Sequence, residues 1–234
     1  MSRFTSAIKK NGAGQYNGEK LSIVIPAAGM GHRMKSYGPK CLLAANSRDT
    51  ILQKIIKNAK REYPNSDIVV VTGFESEKVI KSLPQEIRIV ENSNYETTNT
   101  VESLRIGINA CATRNVLIIY GDLIFNTYSI RDLTNDGSSI VYDKKQQFKS
   151  DEIGVTIVDS YATRFAYGLE NKWSQIAFFE NEDFDLLKQF CSDKRKSKLY
   201  PFEIFNYMIN KGCSIKAITP KGMIIREVDS LKDL

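Results

Sequence analysis

With 234 residues, 42% of them hydrophobic and 26% charged, the chain has a globular composition that excludes wholesale disorder, a collagen-like rod and a disulfide-dense miniprotein. A single histidine, His32, excludes a two-histidine metal site and makes Ser-His-Asp or Cys-His catalysis hang on one side chain. The formal charge of +6 suits either a nucleic-acid surface or a pocket for phosphate-rich small molecules, and alone does not choose.

Residues 1–20 read as a flexible polar arm: basic residues are present, but no apolar stretch follows them as in a secretory signal. From residue 21, short β-rich runs alternate with amphipathic helical patterns. A strand over 21–26 is followed by a helix that Asp49 or Thr50 can cap. Its residues Ile51, Leu52, Ile55, Ile56 and Ala59 fall at helical spacing, and it stops before Pro64. The apolar run 67–72 suits a strand buried on both faces. A short helix over 75–82, a strand over 87–91 and a helix over 99–111 come next. The run 116–120 is another buried strand, ending at Gly121-Asp122. This alternation predicts βαβ units and a mostly parallel sheet flanked by helices.

Beyond Asp136 the runs 139–142, 153–158, 163–167 and 173–178 are shorter and alternate, as antiparallel strands do. Helices over 181–191 and 201–211, strands over 214–219 and 223–228 and a helical start over 230–234 complete the chain. No run approaches the roughly 20 apolar residues that cross a bilayer, so no membrane partner is expected. Cys41, Cys111, Cys191 and Cys213 are scattered without a CxxC, against a zinc clamp or redox pair and in keeping with a cytoplasmic protein. The basic cluster Lys194-Arg195-Lys196-Ser197-Lys198 lacks interleaved aromatics and reads as a solvated loop, so no nucleic-acid partner is expected.

Chemistry concentrates at 23–43, IVIPAAGMGHRMKSYGPKCLL. A buried strand empties into small residues whose amides can approach an anion closely, and Arg33 and Lys40 bracket the loop. At the carboxyl end of a parallel strand, this is a phosphate cradle. A dinucleotide fingerprint would need glycine at Met34, and a P-loop would need GxxxxGK followed by Ser or Thr; neither is present.

The segment AAGMGHRMKSYGPKCLL resembles the AAGxGxRMxxxxPKxLL signature of the MobA-like and sugar-phosphate nucleotidyltransferases. Within that superfamily the stretch Thr97-Thr98-Asn99-Thr100-Val101-Glu102-Ser103-Leu104 most resembles the phosphocholine and phosphonate cytidylyltransferases. The resemblance implies an α/β, Rossmann-like fold of GT-A type with a small antiparallel C-terminal addition. It implies a single nucleotidyltransferase domain over 21–234, with an NTP-binding half at about 21–135 and an acceptor-binding half at about 136–234. By the same resemblance Ala27, Ala28, Gly29 and Gly31 hold the base and phosphates, Arg33 clamps the triphosphate, and Lys40 stabilises charge at the α-phosphate.

Gly121-Asp122-Leu123-Ile124-Phe125 resembles the family's GD(I/V)xF, whose aspartate coordinates magnesium. The ending Glu227-Val228-Asp229 through Leu234 resembles the stretch carrying a second metal ligand. Asp122 and Asp229 are therefore the expected pair for Mg²⁺, which prefers oxygen donors. Thr97 to Leu104 resembles the family's TNNxxSL, so Thr98, Asn99 and Ser103 are expected in the base and ribose pocket; on composition alone, Thr98 or Asn99 is equally a helix cap. Lys172 to Phe178 falls at the family's acceptor-facing strand, without its usual glycine. Trp173 either lines the acceptor pocket, with a cation–π face for a choline-type group, or is core.

The implied reaction transfers a nucleotide, CMP by preference, from an NTP (CTP or UTP) to a phosphorylated small molecule, releasing pyrophosphate. A phosphomonoester is already largely dianionic at neutral pH, so no histidine base is needed. A nucleotide-sugar glycosyltransferase and a non-catalytic nucleotide-binding regulator are the alternatives, and a homodimer is left open.

Overall fold

The structure is a computed structural model that describes residues 20–29, 38–144, 152–229 and 233. The first half follows the expected alternation: β1 (Ser22–Pro26), α1 (Ile51–Glu62), β2 (Asp67–Thr72), α2 (Ser76–Lys81), β3 (Arg88–Glu91), α3 (Thr100–Asn109) and β4 (Val116–Ile119). These strands lie parallel in the order β3-β2-β1-β4. β1 and β4 are buried throughout because successive side chains enter opposite cores. Ile23 and Ile25 join Ile51, Leu52 and Ile55 of α1 on one face, while Val24 joins Val101, Leu104 and Ile108 of α3 on the other. Burying each such side chain contributes about 1.5–3 kcal/mol. Thr50 opens α1 with a capping box: its hydroxyl accepts from the Gln53 amide, and the Gln53 side chain accepts from the Thr50 amide.

At Gly107 the helix α3 lies hard against the sheet. A β-carbon there would stand 2.5 Å from Val24 Cγ1 and 2.9 Å from Val71 Cγ2. Gly107→Ala is expected to destabilise the fold by about 1–3 kcal/mol, because overpacking outweighs the better helix propensity of alanine. Urea unfolding with an unchanged m-value checks this, and an unchanged midpoint would mean that α3 can shift to make room.

The second half contains β5 (Leu123–Phe125), β6 (Ser139–Asp143), β7 (Ile153–Val158), β8 (Tyr161–Tyr167), β9 (Asn171–Phe179), α4 (Asn181–Ser192), α5 (Pro201–Asn210), β10 (Ile215–Ile218) and β11 (Ile225–Glu227). The expected antiparallel strands are continuous with the parallel ones. β9 pairs antiparallel with β4, and the nine-stranded order runs on through β9-β6-β10-β8-β7. β9 also pairs with β7, so these five strands close on one another and shield what would be an open edge. A separate two-stranded antiparallel sheet joins β5 to β11. Three-residue strands have too little length to show periodicity, so the sequence pattern does not predict β5.

Cys41, Cys191 and Cys213 are buried, and all four thiols are free. Burial pushes the thiols of Cys41, Cys111 and Cys191 up to about 12, so they stay protonated at neutral pH. Among the described residues no helix is long and apolar enough to cross a membrane. The arm over 1–20, apart from Lys20, and the helical start over 230–234, apart from Asp233, lie outside the described residues.

Candidate active site

The carboxyl ends of β1 and β4 lie side by side, so the loops leaving them share one floor. Pro26, Ala27, Ala28 and Gly29 leave β1; Gly121 and Asp122 leave β4. Gly121 donates to the Pro26 carbonyl at 3.1 Å, and a β-carbon on it would come within 2.8 Å of that oxygen and 3.0 Å of Ala27 Cβ. Only a residue without a side chain lets the two loops meet this closely. Above them opens a cleft of about 630 Å³, which both halves of the chain line.

Three charged groups converge on this floor. Lys40, at the start of a 3-10 turn (Lys40–Leu42), extends Nζ to 3.1 Å from Asp122 Oδ2 and 3.1 Å from Asp229 Oδ1. Asp229 is brought there by the small sheet: β11 lies against β5, and the Val228 amide donates to the Asp122 carbonyl at 2.9 Å. Burial pulls the Lys40 ammonium down, but the charges and hydrogen bonds of Asp122 and Asp229 outweigh it and hold the group above its ordinary value. The second Asp122 oxygen, Oδ1, is buried and has no hydrogen-bond partner among the described residues. Two carboxylates facing one cation, with a lone buried oxygen beside it, are a donor set that suits a hard divalent ion.

Beside this floor lies a pocket between β3 and α3. Asn99 caps α3, its Oδ1 accepting from the Thr100 amide at 2.8 Å. The capping reading of this stretch thus holds for Asn99, and Thr98, Asn99 and Ser103 line the cleft. Asn92, 1% exposed, holds them together: its Nδ2 donates to Ser103 Oγ at 3.1 Å and to Thr98 Oγ1 at 3.3 Å. Asn92 was missed, since a lone Asn after a strand looks like any turn residue. The basic cluster acquires a structural role here. The Ser197 carbonyl accepts from the Asn99 amide at 2.8 Å, and Lys196 pairs with Asp193 at 2.5 Å and lies over the Tyr207 ring.

The far wall is built by β7, β8 and β9 together with β11. Trp173 is 2% exposed, donates Nε1 to the Ile176 carbonyl and packs edge-on to Tyr120, Phe165 and Phe205. It lines the cleft as the back of the wall and is at the same time core, with its ring enclosed by other aromatics, so the two readings of this residue coincide. Its neighbours turn outward instead. Lys172 Nζ lies 2.5 Å from Glu152 Oε1 and 3.8 Å from Glu227 Oε2. Burial first, then the charge of Asp122, pushes the Glu227 carboxyl up to about 7, against a hydrogen bond from Gln175. Gln175 has a φ of +58°, a left-handed backbone that costs a residue with a β-carbon about 1–3 kcal/mol. Tyr167 and Tyr200 edge the same wall.

Of the residues expected from sequence, Lys40, Ala27, Ala28, Gly29, Thr98, Asn99, Ser103, Asp122 and Asp229 all line this one cleft. Gly31 and Arg33 lie outside the described residues.

Residues 23–201 match the MobA-like NTP transferase domain. Among curated proteins, the bifunctional protein GlmU of Solibacter usitatus is 36% identical over 119 residues, 49% of this chain and 25% of that protein. GlmU of Wolinella succinogenes is 35% identical over 125 residues, 52% of this chain and 28% of that protein. The chain thus matches little more than a quarter of the length of these relatives. Among solved structures, the CTP:phosphocholine cytidylyltransferase of Streptococcus pneumoniae superposes with a TM-score of 0.73 at 20% identity, covering 92% of this chain and 96% of that one. The inositol-1-phosphate CTP transferase of T. maritima gives 0.75 at 16% identity, covering 94% and 93%. Likenesses at this identity establish the fold.

Proposed function

The chain belongs to the MobA-like NTP transferase family, and from that premise we propose that it transfers a nucleotide from an NTP to a phosphorylated small molecule. The observation that carries the reading is the meeting of Lys40, Asp122 and Asp229 beside the Ala27–Ala28–Gly29 turn. In the reaction an oxygen of the acceptor phosphate or phosphonate forms a bond to the α-phosphorus. The bond from that phosphorus to the bridging oxygen breaks, and pyrophosphate leaves. The acceptor arrives as an anion, so no proton has to be removed.

The residues of the chain position the reactants and answer charge. Backbone of the β1 loop approaches the phosphates, with Arg33 as the expected clamp on the triphosphate. Lys40 meets charge that grows at the α-phosphate. Thr98, Asn99 and Ser103, braced by Asn92, hold the base and ribose, while Lys172, Gln175 and Glu152 face the acceptor. Asp122 and Asp229 are the residues that would hold Mg²⁺, which when bound supplies charge neutralisation on the phosphates. CTP is the proposed donor. The Thr97 to Leu104 stretch supports it, as do the two fold neighbours named for CTP.

The test is pyrophosphate release with each of the four NTPs and Mg²⁺, against a panel of phosphocholine, phosphoethanolamine, 2-aminoethylphosphonate and sugar 1-phosphates. Release dependent on both an NTP and an acceptor, fastest with CTP, is expected. No release from any combination would overturn the enzymatic reading, and release fastest with UTP would overturn the donor.

A further inference from the structure

We infer that Asn126 is a positioning residue for Asp229: together with Ser129 it clamps the backbone at 222–224, and so sets the register of the strand that delivers the second proposed cation ligand to Lys40 and Asp122. The inference rests on the nucleotidyl-transfer reading for what Asp229 does, and deepens it by naming what holds that carboxylate in place.

The segment leading to Asp229 brings little apolar packing of its own. β11 has three residues, of which Arg226 is exposed and Ile225 and Glu227 are half-buried. Just before it, Ile224 is 68% exposed, the most of any large hydrophobic side chain among the described residues. Until Val228, which is buried, hydrogen bonds hold the segment.

An asparagine in front of a helical turn ordinarily caps it. Asn126 precedes the 3-10 turn Thr127–Ile130, yet its side chain makes no capping bond there and crosses to the C-terminal segment. Its Nδ2 donates to the Gly222 carbonyl at 2.9 Å, its Oδ1 accepts from the Ile224 amide at 3.2 Å, and its own backbone amide donates to the Ile224 carbonyl at 3.1 Å. Backbone groups face both ends of the side-chain amide, so its orientation depends on no titratable group. Ser129, fully buried, grips the same residue. Its Oγ accepts from the Ile224 amide at 3.2 Å, and its proton is shared between the Ile224 carbonyl at 3.0 Å and Asn126 Oδ1 at 2.8 Å. Both backbone polar groups of Ile224 are thus held while its side chain stays in solvent.

The clamp stands on a fixed base and leads straight to the site. Asn58 of α1 donates to the Phe125 carbonyl, which ties β5 to the helix. From Ile224 the chain runs antiparallel along β5 as β11; the Val228 amide then meets the Asp122 carbonyl at 2.9 Å, and Asp229 Oδ1 lies 3.1 Å from Lys40 Nζ. Asn126 and Asp122 flank β5 at opposite ends, so Asn126 acts on the site through β11. A slip of one residue would carry Asp229 about 3.3 Å along β5 and turn its side chain to the other face.

Asn126→Ala removes both side-chain bonds, and Ser129→Ala removes the second grip. The Mg²⁺ dependence of pyrophosphate release would be measured at saturating CTP and acceptor, and a Mn²⁺ titration followed by the Tm reports cation binding without turnover. In both variants the Mg²⁺ concentration for half-maximal rate should rise at least about fivefold and the Mn²⁺ midpoint by a similar factor, because part of the binding energy is spent on restoring the register. The KM for CTP and the kcat at saturating Mg²⁺ should stay within about twofold of the wild type, since a bound cation draws Asp229 back into place. Unchanged cation midpoints overturn the inference. So does a fall in kcat at saturating Mg²⁺ with the midpoints unchanged, which marks a general loss of structure, and so does a wild-type Tm that ignores Mn²⁺. If Asn126→Ala does not fold, Ser129→Ala decides by the same readings. A wild-type chain that binds Mn²⁺ but releases no pyrophosphate with any NTP removes the nucleotidyl-transfer reading, while the Mn²⁺ midpoints still decide whether Asn126 positions Asp229.

Discussion

Asp122→Asn is expected to reduce pyrophosphate release by about a thousandfold or more while leaving the melting temperature within a few degrees of the parent. The two effects separate for a structural reason. The carboxylate stands at the exit of β4 with one oxygen on Lys40 and the other buried without a partner among the described residues, so the fold gains little from its charge. The amide is nearly isosteric, and Lys40 keeps its bond to Asp229. On the nucleotidyl-transfer proposal, what is lost is a hard anionic oxygen that would face the phosphates and a bound cation. Initial rates with CTP and Mg²⁺, read beside a calorimetric scan, check both halves. An active Asp122→Asn chain would refute the assignment of this residue, and an inactive chain that has also unfolded would show that its role is structural.

Lys40→Met should behave differently, losing turnover and stability together. Its ammonium is the shared counter-ion of Asp122 and Asp229, at 3.1 Å from each. Removing it leaves two like charges facing each other on a partly buried floor, at an expected cost of about 1–3 kcal/mol, below the range for fully buried pairs because Asp229 is half exposed. In a chain of this size that is a fall of several degrees in Tm. A divalent cation then has no ammonium to displace, so millimolar Mn²⁺ should raise the Tm of the variant more than that of the wild type. Turnover should fall about a hundredfold or more, since methionine cannot answer charge at the α-phosphate. A variant with the parental kcat would remove Lys40 from the chemistry; an equal Mn²⁺ response in both chains would show that Lys40 does not compete with the cation.

Much of the parallel half was legible because its signals are local. The runs at 67–72 and 116–119 are apolar on both faces, a pattern that a strand covered by helices on each side requires. The cap at Thr50 and the stop before Pro64 are set by neighbours in sequence. The candidate site was legible for another reason. Its loop residues fall in a dense motif, and small residues with two cations at the end of a buried strand have few other uses. Where the signal thinned, so did the reading. On sequence alone Trp173 fits a pocket or a core, and its enclosure by Tyr120 at the exit of β4, Phe165 of β8 and Phe205 of α5 brings together segments that no local pattern connects.

The amino-acid sequence by itself determined that β1, β2 and β4 are central strands and that a loop of small residues bracketed by cations leaves β1, and its resemblance to a known signature singled out Lys40, Asp122 and Asp229 as the charged groups to watch. Tertiary structure alone decided that one ammonium lies between two carboxylates that stand 82 and 189 residues away in the chain. That meeting depends on the β5–β11 pairing, and three-residue strands gain their stability from the partner they find and carry no recognisable period of their own. It likewise decided that Trp173 points inward and Gln175 outward. A side chain's face in a strand follows register, and one left-handed residue at a bulge reverses what alternation would assign.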